Sequence, residues 1–575
     1  MATYIRLTDY KSSDEKEQEF FNPENRYEAK QNDFSKITGN PIAYWVSKKA
    51  QNAFDKGVEL SNVLDIRQGL ATGNNDLFLK LWFEVEFSNT NFSSKDIEEV
   101  LSQDKRWHPY NKGGGYKKWF GNTEYLIAFS KKDYAILSNQ GNNLPSKQFY
   151  CRESITWSDV STGNFACRYT PTGFMFDVKG SSAFPDNRFN YFFAFLNSKF
   201  SIFLLKVLNP TMSYQVGNIK SLPIIFPETE QVIQEIKVKT QICIDISKEE
   251  WDSRETSWDF TKNELIKHKS DSKIESSYTN YCNYWKEQFN TLHQNEEELN
   301  RLFIDIYELQ DELTPDVELK DITILKNEAK IIDGELVFQR EEIMKQFITY
   351  GVGVMFGRYS FDSDGLLIAN MGQEIPTVTT FEIDDDNVIP VLEDDYFKDD
   401  IASRFVQFVK ATFGEEDLSE NIRFIENSLG TTLRKYFVKG FYEDHIKRYK
   451  KRPIYWMVAS HKKGFMSLIY MHRYEADTFG RVRNSYLTEY IAKLEAHKET
   501  LTLTTSSDTA SDRDKKDADK QMKNIDTKLK EIIEFDRDKM MHWSQNPTQI
   551  DLDDGVKVNY CKFKDILYPI TGLCK

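Results

Sequence analysis

The second half of the chain shows apolar residues that recur at helical spacing over long stretches. A near-heptad series between residues 285 and 306 predicts one long amphipathic helix. Packing of this helix on its own domain is favoured over an intermolecular coiled coil. Two shorter stripes, at 487–494 and 522–532, predict two more helices. The residues of the three stripes are Trp285, Phe289, Leu292, Leu299, Phe303 and Ile306; Leu487, Tyr490, Ile491 and Leu494; and Met522, Ile525, Leu529 and Ile532.

A polar segment rich in Ser, Thr, Asp and Lys separates the last two stripes and predicts a mobile loop near 501–520. We therefore divide the second half into a helical region, 229–345, which contains the long amphipathic helix, and a mainly helical C-terminal domain, 346–575. Internal repeats are absent from the sequence.

The first half has shorter strand signals separated by turns. Residues 61–71 end at a TGNN turn, and residues 165–178 predict a hairpin around the turn 171–173. Apolar residues at helical spacing follow, and prolines at 223 and 227 close the segment. We predict a charged lead-in over 1–30 and a mixed α/β domain over 31–228. The predicted fold class is thus a mixed α/β (α+β or α/β) domain followed by a mainly α-helical region.

The most apolar stretch, 191–209, is interrupted by polar residues, among them Lys199 and Lys206. A membrane-spanning helix needs about 20 mostly apolar residues, so this stretch predicts a buried helix instead. The N-terminus is polar and lacks the apolar core of a signal peptide. Six scattered cysteines without a CxxC pair predict neither a disulfide framework nor a zinc site. We expect a cytoplasmic protein that does not associate with a membrane.

Charge is distributed unevenly along the chain. The formal net charge is −15, yet residues 101–220 alone carry +8 and the remainder carries −23. A basic segment within an acidic protein suits a polyanion site, because the acidic remainder limits unspecific binding. Chance unevenness in a long chain is the alternative.

The basic segment contains the window KRWHPYNKGGGYKKWF at 105–120, which interleaves cations and aromatic rings around three glycines. Cations neutralise phosphates, while rings and amides stack on bases or meet their edges. Glycines also let a backbone approach a ligand closely. A glycine-rich surface loop held by aromatic side chains is the alternative. The predicted DNA-binding residues of this window are Arg106, Asn111, Lys112, Gly113, Gly114, Tyr116, Lys117, Lys118 and Trp119.

Two polar turns add candidates with short hydrogen-bonding side chains. The turn 69–76 offers Thr72, Asn74 and Asn75, and the turn 209–218 offers Ser213 and Gln215. Arg168 is a further candidate. Ordinary turn chemistry, or packing at the edge of the core in the case of Arg168, explains the same residues equally well.

Motifs for catalysis are missing from the sequence. It has no P-loop, GxGxxG, GxSxG, or kinase HRD or DFG motif. The acidic residues at 316–318 and Lys320 lie too close together for a nuclease metal site. For the acidic runs 384–386 and 393–395, a solvated face is favoured over a cation site, since they lack the ligand spacing of a calcium loop.

Several long, irregular segments resemble the C-terminal half of the PglX family, the adenine-specific DNA methyltransferases of BREX phage-defence systems. The ending LNSK…GNIKSLPIIFP is also similar to target-recognition domains of type I specificity subunits and TaqI-like methyltransferases. The segments with the strongest resemblance are RYEAKQNDFSKITGNPIAYWVS (26–47), GLATGNNDLFLKLWFEV (69–85), KRWHPYNKGGGYKKWFGNTEYLI (105–127), ITWSDVSTGNFACRYTPTGFMFD (155–177), LNRLFIDIYELQDELTP (299–315), YGVGVMFGRYS (350–360), KRPIYWMVAS (451–460) and DLDDGVKVNY (551–560).

The resemblance implies that residues 31–228 form a DNA target-recognition domain. A complete enzyme of this family also carries a glycine-rich S-adenosylmethionine motif and an NPPY-type tetrapeptide. Here the comparable strings, at 22–25 and 209–212, lack the second proline and the tyrosine. We therefore expect no catalytic residues, cofactor or metal in this chain and no methylation by it alone.

The partners implied by the resemblance are double-stranded DNA, a separately encoded catalytic half that binds S-adenosylmethionine, and other BREX defence proteins. The alternative is a non-catalytic interaction protein that binds defence-system partners. A third interpretation is an active stand-alone methyltransferase.

Overall fold

The computed structural model describes residues 1–8, 10–30, 34, 41–141, 143–160, 163–209 and 211–574. Small sheets and short helices make up its first part, and long helices dominate the rest. This arrangement confirms the predicted fold class. The boundaries drawn between domains stay a prediction.

The first thirty residues form a small module of their own. It contains β1 (Ala2–Ile5), α1 (Ser13–Glu19) and β2 (Arg26–Ala29), and the two strands pair antiparallel. The ring of Tyr4 stacks on Tyr44 with a centroid distance of 4.7 Å, which attaches the module to the residues that follow it.

The next part of the chain is built from short strands and helices. In order these are α2 (Lys48–Lys56), β3 (Val58–Glu59), β4 (Asp65–Arg67), α3 (Asn75–Phe78), β5 (Leu79–Leu81), α4 (Ile97–Ser102), β6 (Trp107–Asn111), β7 (Tyr125–Ala128), α5 (Lys131–Ser138), β8 (Ser154–Trp157), β9 (Cys167–Thr170), β10 (Met175–Phe176), β11 (Ser182–Phe184), α6 (Phe189–Asn197), α7 (Lys199–Leu208), α8 (Val216–Lys220) and β12 (Pro223–Ile224).

Two four-stranded sheets form the centre of this part. Their strand orders are β10-β6-β7-β5 and β4-β11-β8-β9, and β12 pairs with β3. The predicted hairpin at 165–178 is wrong, because its two strands belong to different sheets: β9 pairs with β8, and β10 pairs with β6. The turn between them therefore links the two sheets.

The apolar stretch 191–209 forms two helices, α6 and α7, separated by a bend of 63°. Ser198 lies at the break and caps α7 by accepting a hydrogen bond from the Ser201 N–H. Most of the apolar side chains of both helices are buried, as predicted. Among the described residues, no single helix is long and apolar enough to cross a bilayer, and this bent pair reaches the required length only when its halves are counted together.

Long helices follow the α/β part. They are α9 (Glu230–Asp252), α10 (Glu264–Lys267), α11 (Ile274–Ile306) and α12 (Arg340–Met355), with the hairpin β13 (Ala329–Ile332) and β14 (Glu335–Phe338) before α12. The long amphipathic helix is confirmed as α11. Its apolar face is buried within the chain, as expected, and Phe303 contacts Tyr191 and Phe195 of α6.

The last part surrounds a three-stranded sheet of order β15-β17-β16. Every residue of the edge strand β16 and of the central strand β17 is buried, so other elements cover both faces of the sheet. The elements are β15 (Ile389–Pro390), α13 (Ile401–Phe413), α14 (Leu418–Leu429), α15 (Leu433–Tyr436), α16 (Tyr442–Arg448), β16 (Tyr455–Ala459), β17 (Met466–Tyr470), α17 (Thr478–Arg481), α18 (Thr488–Ser506), α19 (Asp512–Phe535), α20 (Met541–Gln545) and α21 (Val556–Lys562).

The predicted mobile loop at 501–520 is mostly helical. Helices α18 and α19 form an antiparallel hairpin in which only 507–511 lie outside the helices. Ser511 and Asp514 form a capping box that starts α19, and Ala518 is buried in the contact with α18. The polar residues of 501–520 that suggested a loop thus lie mainly on the solvent-exposed surface of the two helices.

Two smaller expectations also differ from the structure. Cys561 and Cys574 form a disulfide, which scattered cysteines did not indicate. Asp384, expected on a solvated face, is only 4% exposed, and its carboxylate accepts a hydrogen bond from the Val388 N–H.

Candidate nucleic-acid interface

Five loops from the α/β part meet at one edge of the two large sheets. Four of them follow the carboxyl ends of β4, β6, β8 and β10, and the fifth follows α7. We define the loop edge as residues 69–76, 112–115, 158–160, 177–180 and 211–215. It contains all five predicted candidates from the two polar turns together with residues 112–115 of the glycine-rich window.

Backbone contacts hold the five loops together. Leu70 forms a β-bridge with Asp177, and Val160 forms one with Ser213. The Asp159 N–H donates to the Lys179 carbonyl at 3.0 Å. Because backbone contacts join neighbouring loops, the loops of this edge have fixed positions relative to one another.

The first polar turn presents two exposed asparagines. Asn74 caps α3, because its Oδ1 accepts a hydrogen bond from the Leu77 N–H at 3.2 Å. The buried Thr72 hydroxyl donates to Asn75 Oδ1 at 2.6 Å. Within the described part of the chain, neither asparagine amide nitrogen donates a hydrogen bond. Both amides are thus fixed in place and keep donors for a ligand, whereas Thr72 supports the turn.

Two lysines lie across the loop edge, each beside a carboxylate. Lys112 Nζ is 2.6 Å from Asp177 Oδ2 and 3.4 Å from Asn75 Oδ1. Lys179, whose side chain is 60% exposed, is 2.7 Å from Asp159. The sequence pointed to Lys112 but not to Lys179, since nothing local marks the latter.

The glycines of the window serve the packing of the loops. Gly113 has φ +87°, and a Cβ there would lie 2.8 Å from the Lys179 carbonyl oxygen. Gly114, which is exposed, has φ +149°, and a Cβ there would lie 2.6 Å from the Asn122 amide. These glycines were expected to let the backbone approach a ligand closely. In the structure they let it approach Lys179 and Asn122 of the same protein.

The other lysines of the window point into the protein. Lys117 is 8% exposed and Lys118 is 6% exposed. Lys117 Nζ lies 2.8 Å from Glu250 of α9, and Lys118 Nζ lies 2.5 Å from Glu296 of α11. This differs from the expectation that both ammonium groups contact DNA, because in this structure neither one reaches the surface.

Glutamates on the long helices explain these positions. Glu296 accepts hydrogen bonds from both Lys118 and the buried Trp119 indole N–H, the latter at 2.8 Å. Burial by itself would lower the pKa of Lys118, but the attraction of Glu296 outweighs it and raises that pKa. Burial lowers the pKa of Lys117, while Glu250 opposes this. The segment 117–119 therefore attaches the α/β part to α9 and α11.

Three further candidate residues are buried or partly buried near the loop edge. Arg168 is buried, and its guanidinium donates to Ser158 Oγ at 3.4 Å. Burial lowers the pKa of Arg168 to about 10. Asn111 is buried and donates to Thr170 at 2.9 Å, and Tyr116 is partly buried beside Gly163. None of the three is well exposed to a ligand.

Arg106 lies away from the loop edge. It precedes β6, whereas the loop edge follows the other end of that strand. Its guanidinium is 3.6 Å from Asp133 and lies over the Trp107 ring. The structure thus does not bring Arg106 together with the other candidates.

The second polar turn contributes both polar and apolar groups. Gln215 is exposed, and the Ser213 hydroxyl donates to Asp159 at 3.3 Å. Met212 of this turn is 62% exposed, and Val160 of the neighbouring loop is 54% exposed. No pattern in the sequence marks these two residues, because isolated apolar residues in turns have no periodicity.

Comparison with known proteins gives two relatives, although no family model matches the chain. One is "Adenine-specific methyltransferase PglX" of Lacticaseibacillus casei (strain Zhang), 38% identical over 598 residues, which cover 98% of this chain and 48% of the relative. The other is "Adenine-specific methyltransferase BrxX" of Escherichia coli O9:H4 (strain HS), 35% identical over 578 residues, which cover 94% of this chain and 46% of the relative.

The chain spans about half the length of the curated relatives it matches. That coverage agrees with the expected resemblance to one half of such an enzyme. Over nearly its whole length, therefore, the chain is homologous to about half of the PglX and BrxX adenine-specific methyltransferases.

Proposed function

We propose that this chain recognises a specific sequence in double-stranded DNA for adenine methylation in a BREX-type phage-defence system. Residues 31–228 act as the target-recognition domain. The loop edge is the main support for this proposal, because its five loops hold amide, hydroxyl and ammonium groups on one fixed surface. The chain is also a homologue of adenine-specific methyltransferases.

The side chains of the loop edge suit the two kinds of contact that DNA recognition needs. The amide nitrogens of Asn74 and Asn75 can donate to acceptors on base edges, because only their oxygens are engaged within the protein. The exposed amide of Gln215 offers both a donor and an acceptor, and a good bidentate contact contributes roughly 1–3 kcal/mol of discrimination. Lys112 and Lys179 suit phosphates, which position the protein on the duplex. The exposed Val160 and Met212 suit the thymine methyl group.

Methyl transfer to adenine N6 then belongs to a catalytic half that binds S-adenosylmethionine. That half extracts the target base from the duplex, at a cost of a few kcal/mol. The helical remainder of this chain holds the DNA, the catalytic half or other defence proteins.

A selection from random duplexes tests this function, because it samples every short sequence at once. The full chain, alone and with a catalytic half, is incubated with a random duplex pool, and bound DNA is sequenced. We expect enrichment of one sequence motif. Asn75→Ala and Gln215→Ala should relax the motif at one or two positions.

Asn427→Ala, which removes an exposed asparagine on α14, is the matched control and should leave the motif unchanged. Equal recovery of all sequences by the wild-type chain, both with and without the catalytic half, contradicts a recognition function. It would favour the alternative, an interaction protein that binds defence-system partners.

A further inference from the structure

A cleft of about 480 Å³ lies between the α/β part and the C-terminal part of the chain. One wall comes from α3 and β5, and the opposite wall comes from residues 450–452 and from α21. Residues far apart in the sequence thus face each other across it. Five of its side chains are basic, namely Lys80, Lys112, Lys450, Arg452 and Lys557.

The carboxylates around this cleft only partly balance the five cations. Lys557 is 2.8 Å from Asp76, and Arg452 Nε is 3.7 Å from Glu84. Lys450 pairs with Glu124, and Lys112 pairs with Asp177. Asp554, which also attracts Lys80, is itself 3.8 Å from Lys562. Five carboxylates therefore face six cations, which leaves a net positive cleft.

Lys80 is attracted by the carboxylates of Glu84, Asp76 and Asp554 without contacting them. Its ammonium donates to the Asp76 carbonyl oxygen at 2.5 Å, and it forms no ion pair among the described residues. Burial lowers the pKa of Lys80, because the cleft removes water from its ammonium group. An anion in the cleft would give Lys80 a direct counter-charge, which the carboxylates further away do not.

The cleft is continuous with the loop edge. Asn75, Asp76 and Lys112 belong to the loop edge and also line the cleft. A duplex whose bases meet the loop edge would therefore run its backbone along the cleft mouth, where ammonium and guanidinium groups come from both parts of the chain.

We propose that this cleft binds a phosphate group of the DNA backbone through Lys80, Lys112, Lys450, Arg452 and Lys557. The inference rests on the proposed function and adds to it a named backbone site that includes the C-terminal part of the chain. The exposed carboxylate of Asp76 pairs with Lys557, so a phosphate competes with Asp76 for that ammonium group.

Two single variants that should change DNA affinity in opposite directions test the site. Lys557→Gln removes a cation and should weaken binding of a 30-base-pair duplex about fivefold at 0.15 M salt, the loss for one phosphate contact. Asp76→Asn removes the competing carboxylate and should strengthen binding roughly threefold. Binding is measured by fluorescence anisotropy with the full chain, after thermal melting has shown that each variant is folded.

Lys516→Gln and Asp519→Asn, at exposed positions of α19, are the matched controls and should leave affinity unchanged. A purely structural role of the Lys557–Asp76 pair would give two changes of the same sign, which would overturn the inference. Absence of duplex binding by the wild-type chain would overturn the proposed function as well, whereas normal binding with two silent variants would overturn this site alone.

A free phosphate ion has the same chemistry as a phosphate of the DNA backbone. A second experiment therefore distinguishes binding of a free anion from binding of DNA. Inorganic pyrophosphate is titrated into the same proteins by calorimetry. We expect no saturable heat below about 1 mM, because the cleft is open along the loop edge. Tight pyrophosphate binding that Lys557→Gln abolishes, together with unchanged duplex affinity, would assign the cleft to a free anion and contradict the proposal.

Discussion

Lys118 in the glycine-rich window and Glu296 in the long helix α11 form an ion pair of 2.5 Å inside the protein. The second oxygen of Glu296 accepts the Trp119 indole N–H at 2.8 Å. One carboxylate thus fixes two consecutive residues of the most cationic and aromatic segment in the sequence. Two parts of the window therefore differ: residues 112–115 belong to the loop edge, whereas residues 117–119 join two parts of the fold.

Removal of the Lys118 charge should destabilise the protein strongly. Lys118→Met leaves Glu296 buried without its counter-charge, and breaking a buried pair costs about 3–5 kcal/mol. Urea unfolding followed by circular dichroism measures the loss. The double variant Lys118→Met/Glu296→Gln should recover part of it, because glutamine keeps an acceptor for Trp119.

The exposed Lys516→Met should change the free energy of unfolding by less than about 0.5 kcal/mol. If Lys118→Met lowered the free energy of unfolding by no more than this control does, the Lys118–Glu296 pair would contribute little to stability.

Gly113 and Gly115 should respond differently to alanine. Gly113 has φ +87°, and a Cβ would lie 2.8 Å from the Lys179 carbonyl oxygen, so Gly113→Ala should lower stability by about 1–3 kcal/mol and displace two loops of the loop edge. Gly115→Ala meets no atom within 4 Å and should be nearly neutral. Thermal unfolding compares the two, and equal effects would contradict the packing described here.

Asp384 should make stability depend on pH. Burial, reinforced by Asp386, raises the pKa of Asp384 to about 7, although Arg404 and Arg473 oppose the shift. The folded state therefore holds this proton more tightly than the unfolded chain does, and stability falls as pH rises from about 4 to 7. Asp384→Asn stays neutral and keeps an acceptor for the Val388 N–H.

The Asp384→Asn variant should accordingly be more stable than the wild-type chain at pH 8, by about 1–3 kcal/mol, and nearly equal to it at pH 4.5. Urea unfolding at both pH values gives the difference. An effect of the same size at both would show that the carboxyl group is not protonated in the folded protein near neutral pH.

The start of helix α19 depends on its cap. Ser511→Ala removes the side-chain acceptor for the Asp514 N–H and should cost about 1 kcal/mol locally. Hydrogen exchange of the amides at 512–516 should accelerate about fivefold. Ser506→Ala, at an exposed position of α18, should not change it. Fast exchange throughout 501–520 in the wild-type chain would instead support a mobile loop.

The sequence predicted those features that depend on local patterns. The periodicity of Phe289, Leu292 and Phe303 indicated α11, because one buried face imposes that spacing. The residues of both polar turns indicated loops whose side chains the structure brings to one edge.

Features that depend on distant partners could not be predicted. The glutamates that bury Lys117 and Lys118 lie 133 and 178 residues further along the chain, so the lysines looked exposed. The hairpin prediction failed for a similar reason, since β9 and β10 each pair with a strand elsewhere. The second wall of the basic cleft comes from 450–452 and α21, far outside the basic segment.

Whether the loop edge binds DNA can be measured through the salt dependence of duplex binding by a loop-edge variant. Affinity for a duplex is measured from 0.05 to 0.3 M salt for the wild-type chain, for Lys112→Gln/Lys179→Gln, and for the control Lys516→Gln/Lys520→Gln on α19. We expect the loop-edge variant to bind more weakly, with a slope of log affinity against log salt that is shallower by about 1.8, the value for two phosphate contacts. The control should match the wild-type chain. A loop-edge variant with wild-type affinity and slope would contradict the claim that this surface binds DNA.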